Sequence, residues 1–295
     1  IRFKTDNKDT DKKSGYVAKL IADQVMPGKK YKYEIFINDL KVERDYVMEF
    51  QSQKLWKWRT DPPDVSFVIG SCSYVNEPQF DRPGKPYGNN FEIFNSIHNK
   101  NPDFMLWLGD NTYLREPDWN SRTGFINRYS HTRALAELQP LLASTHHYAT
   151  WDDHDFGPNN SDGSFWLKET ASEIFKLFWG NPNYDVTGKG GITGFFQWGD
   201  LDFFLMDNRY HRTSNNNFTE DRQLLGKDQI DWLINALSFS QAPFKFIAIG
   251  GQVLSSGAVY ENYATYPEER KYLLDKIREA KIEGVVFLDG DRHHT

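Results

Sequence analysis

Side chains that can bind metal ions follow several apolar segments of this sequence. "VSFVIG" is followed by Cys72, "FMLWLG" by Asp110 and Tyr113, and "GVVFLDG" by Asp291 and His293. In open α/β sheets, ligands collect beyond the carboxyl ends of the strands. Thiolate, carboxylate, phenolate and imidazole groups are all metal ligands in proteins. We therefore predict that these side chains meet in one metal site.

The segment "WDDHD" at residues 151–155 strengthens this prediction. Three carboxylates around one imidazole, directly after the apolar segment "HHYATW", repel each other unless a cation holds them together. Asn159 lies nearby and offers an amide oxygen. A single Gly–Asp pair after a strand is more often a turn, and His293 with His294 could be a surface pair. The prediction therefore depends on the combination of segments.

The ligand types indicate which metals such a site would hold. Trivalent iron accepts phenolate and thiolate ligands, whereas carboxylate and amide oxygens suit a hard ion such as Ca²⁺. Two or more ions bridged by a carboxylate can clamp a phosphoryl group. Asp110 is the predicted bridging carboxylate.

Strands and helices alternate from residue 65 onward, which predicts an α/β core. Asn90 is the predicted N-cap of the first helix, whose apolar face contains Phe91, Phe94 and Ile97. The pair Gly199–Asp200 between apolar runs predicts a hairpin. Helices are predicted at 89–100, 131–143, 164–180 (ending on a C-capping glycine), 226–238 and 267–281.

Residues 15–60 have a different pattern from the rest of the chain. Tyr31, Tyr33, Ile35 and Ile37 alternate with polar residues, which is typical of short strands. The Pro-Pro pair in "RTDPPDV" then predicts a linker. We expect a small β-sandwich-like domain at residues 1–62 and a larger catalytic domain at residues 63–295.

Composition excludes several classes of protein. The net charge of −6, from 41 acidic and 35 basic residues, argues against a nucleic-acid partner. One cysteine excludes an internal disulfide framework. We find no apolar run long enough for a transmembrane helix and no signal peptide, and the opening residues look like the middle of a longer chain. Nothing in the sequence indicates the oligomeric state.

The segments "GSC", "GDNTY", "WDDHD" and "GDRHH", in this order and each after a strand, resemble the alkaline phosphatase D (PhoD-like) family of metallophosphatases. The segment "MPGKKYKYEIF" resembles the small N-terminal β domain of that family. The resemblance implies a metallophosphoesterase-type β-sandwich flanked by helices, with a small N-terminal all-β domain. The family continues beyond the last motif, so we expect the C-terminus of this sequence to be truncated.

The resemblance also implies a ligand set for the metals. Fe³⁺ would be bound by Cys72, Asp110, Tyr113 and Asp291. Asp110 would bridge to one or two Ca²⁺ ions bound by Asp153, Asn159 and His293. Other divalent metals are alternatives.

Two further residues acquire roles from the resemblance. His154 would donate a proton to the leaving oxygen of the substrate. Arg209 would clamp the phosphate, or would form a structural salt bridge with Asp207.

The expected reaction is hydrolysis of a small phosphate mono- or diester by metal-activated water, outside the cytoplasm: secreted, periplasmic or at the cell surface. Cys72 as a covalent nucleophile is the alternative mechanism. A non-catalytic calcium- or carbohydrate-binding extracellular protein is the alternative function. A nuclease would share the chemistry, but the negative net charge disfavours it.

Overall fold

The computed structural model describes residues 3–81, 83–88, 90–218 and 221–293. The strands in these ranges are β1 (Lys30–Lys32), β2 (Phe36–Ile37), β3 (Leu40–Lys41), β4 (Glu49–Gln51), β5 (Phe67–Gly70), β6 (Phe104–Leu108), β7 (His146–Thr150), β8 (Gly194–Trp198), β9 (Leu201–Leu205), β10 (Phe244–Ile249) and β11 (Val285–Asp289). The α-helices are α1 (Glu92–Asn99), α2 (Arg122–Arg133), α3 (Gln139–Ser144), α4 (Asp153–Phe156), α5 (Lys168–Phe178), α6 (Lys227–Phe239) and α7 (Pro267–Glu279).

Two sheets form the centre of the molecule. One sheet has the order β5-β6-β7 with all strands parallel. The other has the order β11-β10-β9-β8, in which β9, β10 and β11 are parallel and β8 is antiparallel to β9. The antiparallel pair is the predicted hairpin around Gly199–Asp200, which is confirmed.

The two sheets pack face to face through aromatic side chains. Phe104 on β6 is completely buried, and its ring lies 5.3 Å from that of Phe203 on β9 and 5.6 Å from that of Phe196 on β8. These edge-to-face contacts are favourable arrangements for aromatic pairs. The predicted β-sandwich is therefore confirmed.

Helices cover the outer face of each sheet. Met105 and Trp107 on β6 belong to a core shared with α2 and α5, while Phe204 on β9 and Ile247 on β10 belong to a core shared with α6 and α7. All five residues of β6 are buried, because this strand is central in its sheet and is covered on both faces. The α/β class and the flanking helices were predicted correctly.

Three predicted helix boundaries were wrong. The predicted helix at 131–143 is two helices, α2 and α3, and Pro140 occupies the first turn of α3, where proline is tolerated. Phe91, with φ of 58°, is the N-cap residue of α1, whereas the Asn90 side chain donates to Glu92. Helix α5 ends on an extended Trp179 rather than on a capping Gly180.

The N-terminal region contains short strands, in partial agreement with the prediction. Strand β1 pairs with β4, and β2 pairs with β3, but most of their residues are exposed. Contacts to the larger part of the chain include the Tyr33 hydroxyl, which donates to the Ala143 carbonyl over 2.9 Å. The division of the chain at residue 62 stays a prediction.

Candidate metal centre

Three glycines allow the carboxyl ends of the strands to approach each other closely. A Cβ on Gly109 would lie 2.7 Å from the Cβ of Asp152, and one on Gly250 would lie 2.8 Å from the Asp152 carboxylate. A Cβ on Gly290 would lie 2.5 Å from the Leu108 carbonyl oxygen. Because these distances exclude any side chain, glycine is required where β6 and β10 end beside β7 and where β11 ends beside β6.

Acidic side chains converge at this point. Ligand atoms of Asp110, Asp153 and His154 lie within 4.8 Å of one another, and so do those of Asp110, Asp152 and Asp291. Asp110 belongs to both groups, which is the position a bridging ligand would need. The structure thus brings together four residues that the sequence singled out, and it adds Asp152.

Cys72 and Tyr113 lie on one side of the Asp110 carboxylate. The Cys72 sulfur is 3.7 Å from Asp110 Oδ2, and the Tyr113 hydroxyl is 3.3 Å from the same oxygen. Cys72, Asp110 and Asp291 have φ angles of 59°, 52° and 67°. Non-glycine residues in this left-handed region are energetically costly and cluster at functional sites. Three of them on three strand ends favour a functional role.

Two predicted ligands are exposed side chains. Asn159 is exposed, and it is the backbone N–H of the next residue, Asn160, that donates to Asp153 Oδ2 over 2.6 Å. His293 is exposed and belongs to neither of the two groups found among the described residues. His294, which the sequence offered as its neighbour, is outside the described residues.

Asp152 is the acidic residue that the sequence-based ligand set omitted. It is completely buried, and its Oδ1 accepts hydrogen bonds from Asn208 over 2.8 Å and from Arg209 over 2.5 Å. Its Oδ2 is buried without a hydrogen-bond partner among the described residues. The sequence signal was present in "WDDHD", but nothing in the order of letters indicates which of three adjacent carboxylates faces the other strands.

Arg209 is buried and is paired with carboxylates. Its guanidinium group bonds to Asp152, to Glu261 over 2.8 Å and to the Ser161 carbonyl. The Asp207 carboxylate, the partner considered from sequence, instead accepts the backbone N–H of Arg209. Arg209 therefore compensates negative charge next to the cluster, and only 1 % of its surface is exposed.

His154 lies half-buried at the edge of the cluster. Its backbone N–H donates to Asp110 Oδ1 over 3.3 Å, and its ring packs on that of Tyr113 with centroids 4.3 Å apart. In the part of the chain that the structure describes, His154 Nδ1 is buried without a partner. The ring therefore has a nitrogen available for a ligand or for proton transfer.

Asp155, the last acidic residue of "WDDHD", connects two strand ends. Its Oδ2 accepts the backbone N–H groups of Asn111 and Asp152, over 3.2 and 3.1 Å. The second bond belongs to a capping box at the start of α4, where Asp152 is the N-cap residue. Asp155 thus fixes the segments after β6 and β7 relative to each other.

Burial and mutual repulsion favour the protonated forms of Asp110, Asp152 and Cys72 when no cation is bound. Burial, followed by repulsion from Asp153 and Asp152, raises the pKa of Asp110 well above its usual value. Burial raises the pKa of Asp152 to about 7, although Arg209 opposes this shift. Burial and the charge of Asp110 raise the pKa of the Cys72 thiol to about 12. A bound cation would reverse these preferences, and its binding would release protons.

These observations together fit a metal centre. The cluster contains four carboxylates, a thiol, a phenol and an imidazole, which are all metal ligands. Within the described residues, buried acceptor atoms without partners include Asp152 Oδ2, Asn208 Oδ1 and His154 Nδ1. Buried acceptors without partners are rare in folded proteins and require an ion or water.

Comparisons with known proteins agree with this geometry. Residues 181–295 match the family model described as PhoD-like phosphatase. Alkaline phosphatase D of Bacillus subtilis (strain 168) is 22 % identical over 322 residues, covering 92 % of this chain and 52 % of that protein. The predicted resemblance to the PhoD-like family is confirmed. This chain spans about half the length of the curated relative that it matches.

Solved structures share the fold. A structure of PhoD matches with a TM-score of 0.74 at 20 % identity, covering 92 % of this chain and 58 % of that one. A purple acid phosphatase from yellow lupin (Lupinus luteus) matches with a TM-score of 0.56 at 13 % identity, covering 92 % and 45 % of the two chains. The chain therefore has the metallophosphatase type of fold predicted from its motifs. No helix among its described residues has the length and apolarity needed to cross a membrane.

Proposed function

We propose that this PhoD-like chain belongs to an enzyme that hydrolyses small phosphate mono- or diesters with the help of metal ions. The observation that carries the proposal is the pair of ligand groups that share Asp110 at the ends of β6, β7 and β11. The PhoD-like family model and the curated alkaline phosphatase D support the same activity. The alternative, a calcium- or carbohydrate-binding protein, does not require a thiol and a phenol beside the acidic cluster.

For the metals, we propose Fe³⁺ bound by Cys72, Asp110, Tyr113 and Asp291. We propose one or two Ca²⁺ ions bound by Asp110 and Asp153, with Asp152 joining them and with Asn159 and His293 as the remaining predicted ligands. Other divalent metals could occupy the second position. When bound, the metals would stabilise charge on the phosphoryl oxygens and lower the pKa of the attacking water.

The chain's own residues would orient and support this site. Arg209 holds Asp152 in place and limits the repulsion between carboxylates, but its burial argues against direct contact with substrate. His154 is the proposed donor of a proton to the leaving oxygen, because its ring lies at the edge of the cluster and is half-buried. Asp155 fixes the distance between the strand ends that hold Asp110 and Asp152.

The surroundings of Cys72 disfavour the alternative in which it attacks phosphorus. A thiol with a pKa of about 12 is almost entirely protonated at neutral pH, and only the thiolate is a nucleophile. A cation that lowered this pKa would also use the sulfur as a ligand. If alkylation of Cys72 left metal content and activity unchanged, Cys72 would be neither the nucleophile nor a metal ligand.

The location of the enzyme is part of the proposal. Calcium is abundant outside the cytoplasm, so we place the enzyme among secreted, periplasmic or cell-surface proteins. The curated relative that matches 92 % of this chain is named alkaline phosphatase D. The substrate would be a small phosphate ester rather than a nucleic acid.

The test combines metal analysis with an assay. The protein is purified, its iron and calcium are measured together with its visible spectrum, and hydrolysis of p-nitrophenyl phosphate and of bis(p-nitrophenyl) phosphate is followed. We expect Asp110→Asn to lose bound metal and to lower the rate of hydrolysis by more than about 100-fold. Loss of a residue that only supports a metal ligand typically costs up to about 100-fold, and loss of a ligand should cost more. Asp228→Asn is the control, because Asp228 is exposed on α6.

Two results would contradict the proposal. Equal activity in the two variants would remove Asp110 from the site. A wild-type protein that binds calcium but hydrolyses neither ester would favour the non-catalytic alternative.

A further inference from the structure

Three tyrosines form a continuous series of ring contacts that ends at the proposed metal centre. The ring of Tyr87 lies 5.3 Å from that of Tyr74, and the ring of Tyr74 lies 4.9 Å from that of Tyr113, both edge to face. Tyr113 in turn packs on His154 with a centroid distance of 4.3 Å. We call Tyr87, Tyr74 and Tyr113 the tyrosine series.

Exposure increases along the tyrosine series. Tyr113 is 8 % exposed and lies beside the Asp110 carboxylate. Tyr74 is half-buried, and Tyr87 is 61 % exposed. The series therefore leads from the acidic cluster to the solvent, and its outermost member, Tyr87, exposes an aromatic ring to the solvent.

The position of Tyr87 is fixed by its neighbours. The Asn76 side chain donates to the Tyr87 carbonyl over 2.5 Å and accepts the Tyr87 N–H over 3.2 Å. The Tyr74 hydroxyl donates to Asp81 over 2.5 Å, and Asp81 forms a buried salt bridge with Arg115 over 3.0 Å. An exposed aromatic side chain on a segment held in this way loses little conformational entropy when a ligand packs on it.

Arg115 connects this arrangement to the site. Its guanidinium group lies over the Tyr74 ring, 4.2 Å from the centroid, and donates to the carbonyl groups of Val75 and Tyr113. The side chain is nearly buried and is paired on all sides by these groups and Asp81. Tyr74 and Tyr113 thus contact the same cation, which fixes these two members of the series relative to each other.

We propose that Tyr87 binds a flat aromatic ring in the alcohol part of the phosphate ester substrate. The inference rests on the proposed function and adds a substrate class to it: esters whose alcohol carries an aromatic or heteroaromatic ring. The two ring contacts place the ring centroid of Tyr87 at most about 10 Å from that of Tyr113. A phosphate bound at the cluster could therefore carry a ring that reaches Tyr87.

The test compares two esters that differ in aromaticity and little else. Benzyl phosphate and cyclohexylmethyl phosphate have leaving groups of similar reactivity and size, and the release of inorganic phosphate reports both reactions. Tyr87→Leu removes the ring, and Tyr87→Phe keeps it. Phe239→Leu is the control: Phe239 is 89 % exposed at the end of α6, near the amino end of β10 and thus at the opposite end of the sheet.

We expect Tyr87→Leu to reduce kcat/KM for benzyl phosphate by about 3- to 10-fold, the range of one aromatic pair, with little change for cyclohexylmethyl phosphate. Tyr87→Phe should keep most of the preference for benzyl phosphate, and Phe239→Leu should have the same kcat/KM values as the wild type. Equal losses for both esters in Tyr87→Leu would overturn the proposal, because a merely structural role would affect both substrates.

A binding measurement separates this inference from the proposed function. Benzylphosphonate and cyclohexylmethylphosphonate are not hydrolysed, and calorimetry can measure their affinities for the metal-loaded protein. Failure of the wild type to hydrolyse either ester would contradict the proposed function. Tighter binding of benzylphosphonate than of cyclohexylmethylphosphonate, lost in Tyr87→Leu, would still support the binding of an aromatic ring by Tyr87. Equal affinities for the two phosphonates in the wild type would overturn the inference.

Discussion

Replacing Arg209 by glutamine tests the role of the buried cation next to the acidic cluster. The guanidinium group is 1 % exposed and bonds to Asp152 over 2.5 Å and to Glu261 over 2.8 Å. Removing it leaves the buried Asp152 carboxylate without its compensating charge, while Glu261 keeps its ion pair with Arg212 over 2.8 Å. Breaking a buried ion pair from one side typically costs about 3–5 kcal/mol of folding free energy.

The matched control is Arg122→Gln. Arg122 pairs with Glu173 over 2.6 Å, but the two side chains are 35 % and 55 % exposed. Exposed pairs contribute about 0–1 kcal/mol, because water screens the interaction. The two variants therefore remove the same chemical group at similar distances and differ mainly in burial.

Unfolding by urea in the presence of a chelator measures both variants without bound metal. The pKa of Glu261 is raised by burial but lowered more strongly by Arg209 and Arg212, so its net direction is downward. A carboxylate with a lowered pKa contributes stability above its ordinary pKa and loses it as the pH falls. Because the pKa of Asp152 is raised to about 7, we expect the deficit of Arg209→Gln to be largest above that pH, to shrink as the pH falls through 7, and to shrink further below about 4.5, where Glu261 is protonated.

The reasoning would be refuted by equal free energies of unfolding for the two variants at pH 7.5. It would also be refuted by a deficit in Arg209→Gln that grows as the pH falls. Either result would mean that Arg209 does not compensate buried carboxylates in solution.

Three further predictions follow from the packing and the pKa shifts. Gly109→Ala should lose metal affinity and stability, because its Cβ would lie 2.7 Å from that of Asp152. The control Gly188→Ala, also at positive φ but in open space, should lower the free energy of unfolding by only about 1–2 kcal/mol, as calorimetry can measure. Burial raises the pKa of Asp155 to about 8, so the metal-free protein should lose at most roughly 5 kcal/mol of stability as the pH rises from 4 to 8. In Asp155→Asn, the free energy of unfolding measured with urea should depend less on pH. Phe104→Ala should lower the free energy of unfolding by about 3–5 kcal/mol, measured in the same way, because the ring is completely buried between the sheets.

Strands that are buried on both faces were the most predictable part of the fold. The five apolar residues of β6 leave no polar face, so the segment must lie inside the molecule. The turn pair Gly199–Asp200 likewise indicated a hairpin through local backbone preferences. Helix ends were less predictable, since Phe91 at the N-cap of α1 has a left-handed backbone that no propensity favours.

The candidate site was predictable in its residue types but not in its pairings. Asp110, Asp153 and Asp291 follow strands directly, and parallel strands bring their carboxyl ends to one edge. The partners of Arg209 are Asp152 and Glu261, which are 57 and 52 positions away in the chain. Such distant pairs are brought together by sheet order, which no local pattern contains.

The amino-acid sequence by itself determined that this chain forms an α/β fold with candidate metal ligands after its strands, because those features depend on hydrophobic periodicity and on the residue that follows each strand. Only the tertiary structure decided which acidic residues share the site, that Arg209 is buried against Asp152 and Glu261, and that three tyrosines lead from the site to the solvent. Those facts depend on packing between segments far apart in sequence, where the burial of one group sets the charge and position of the next.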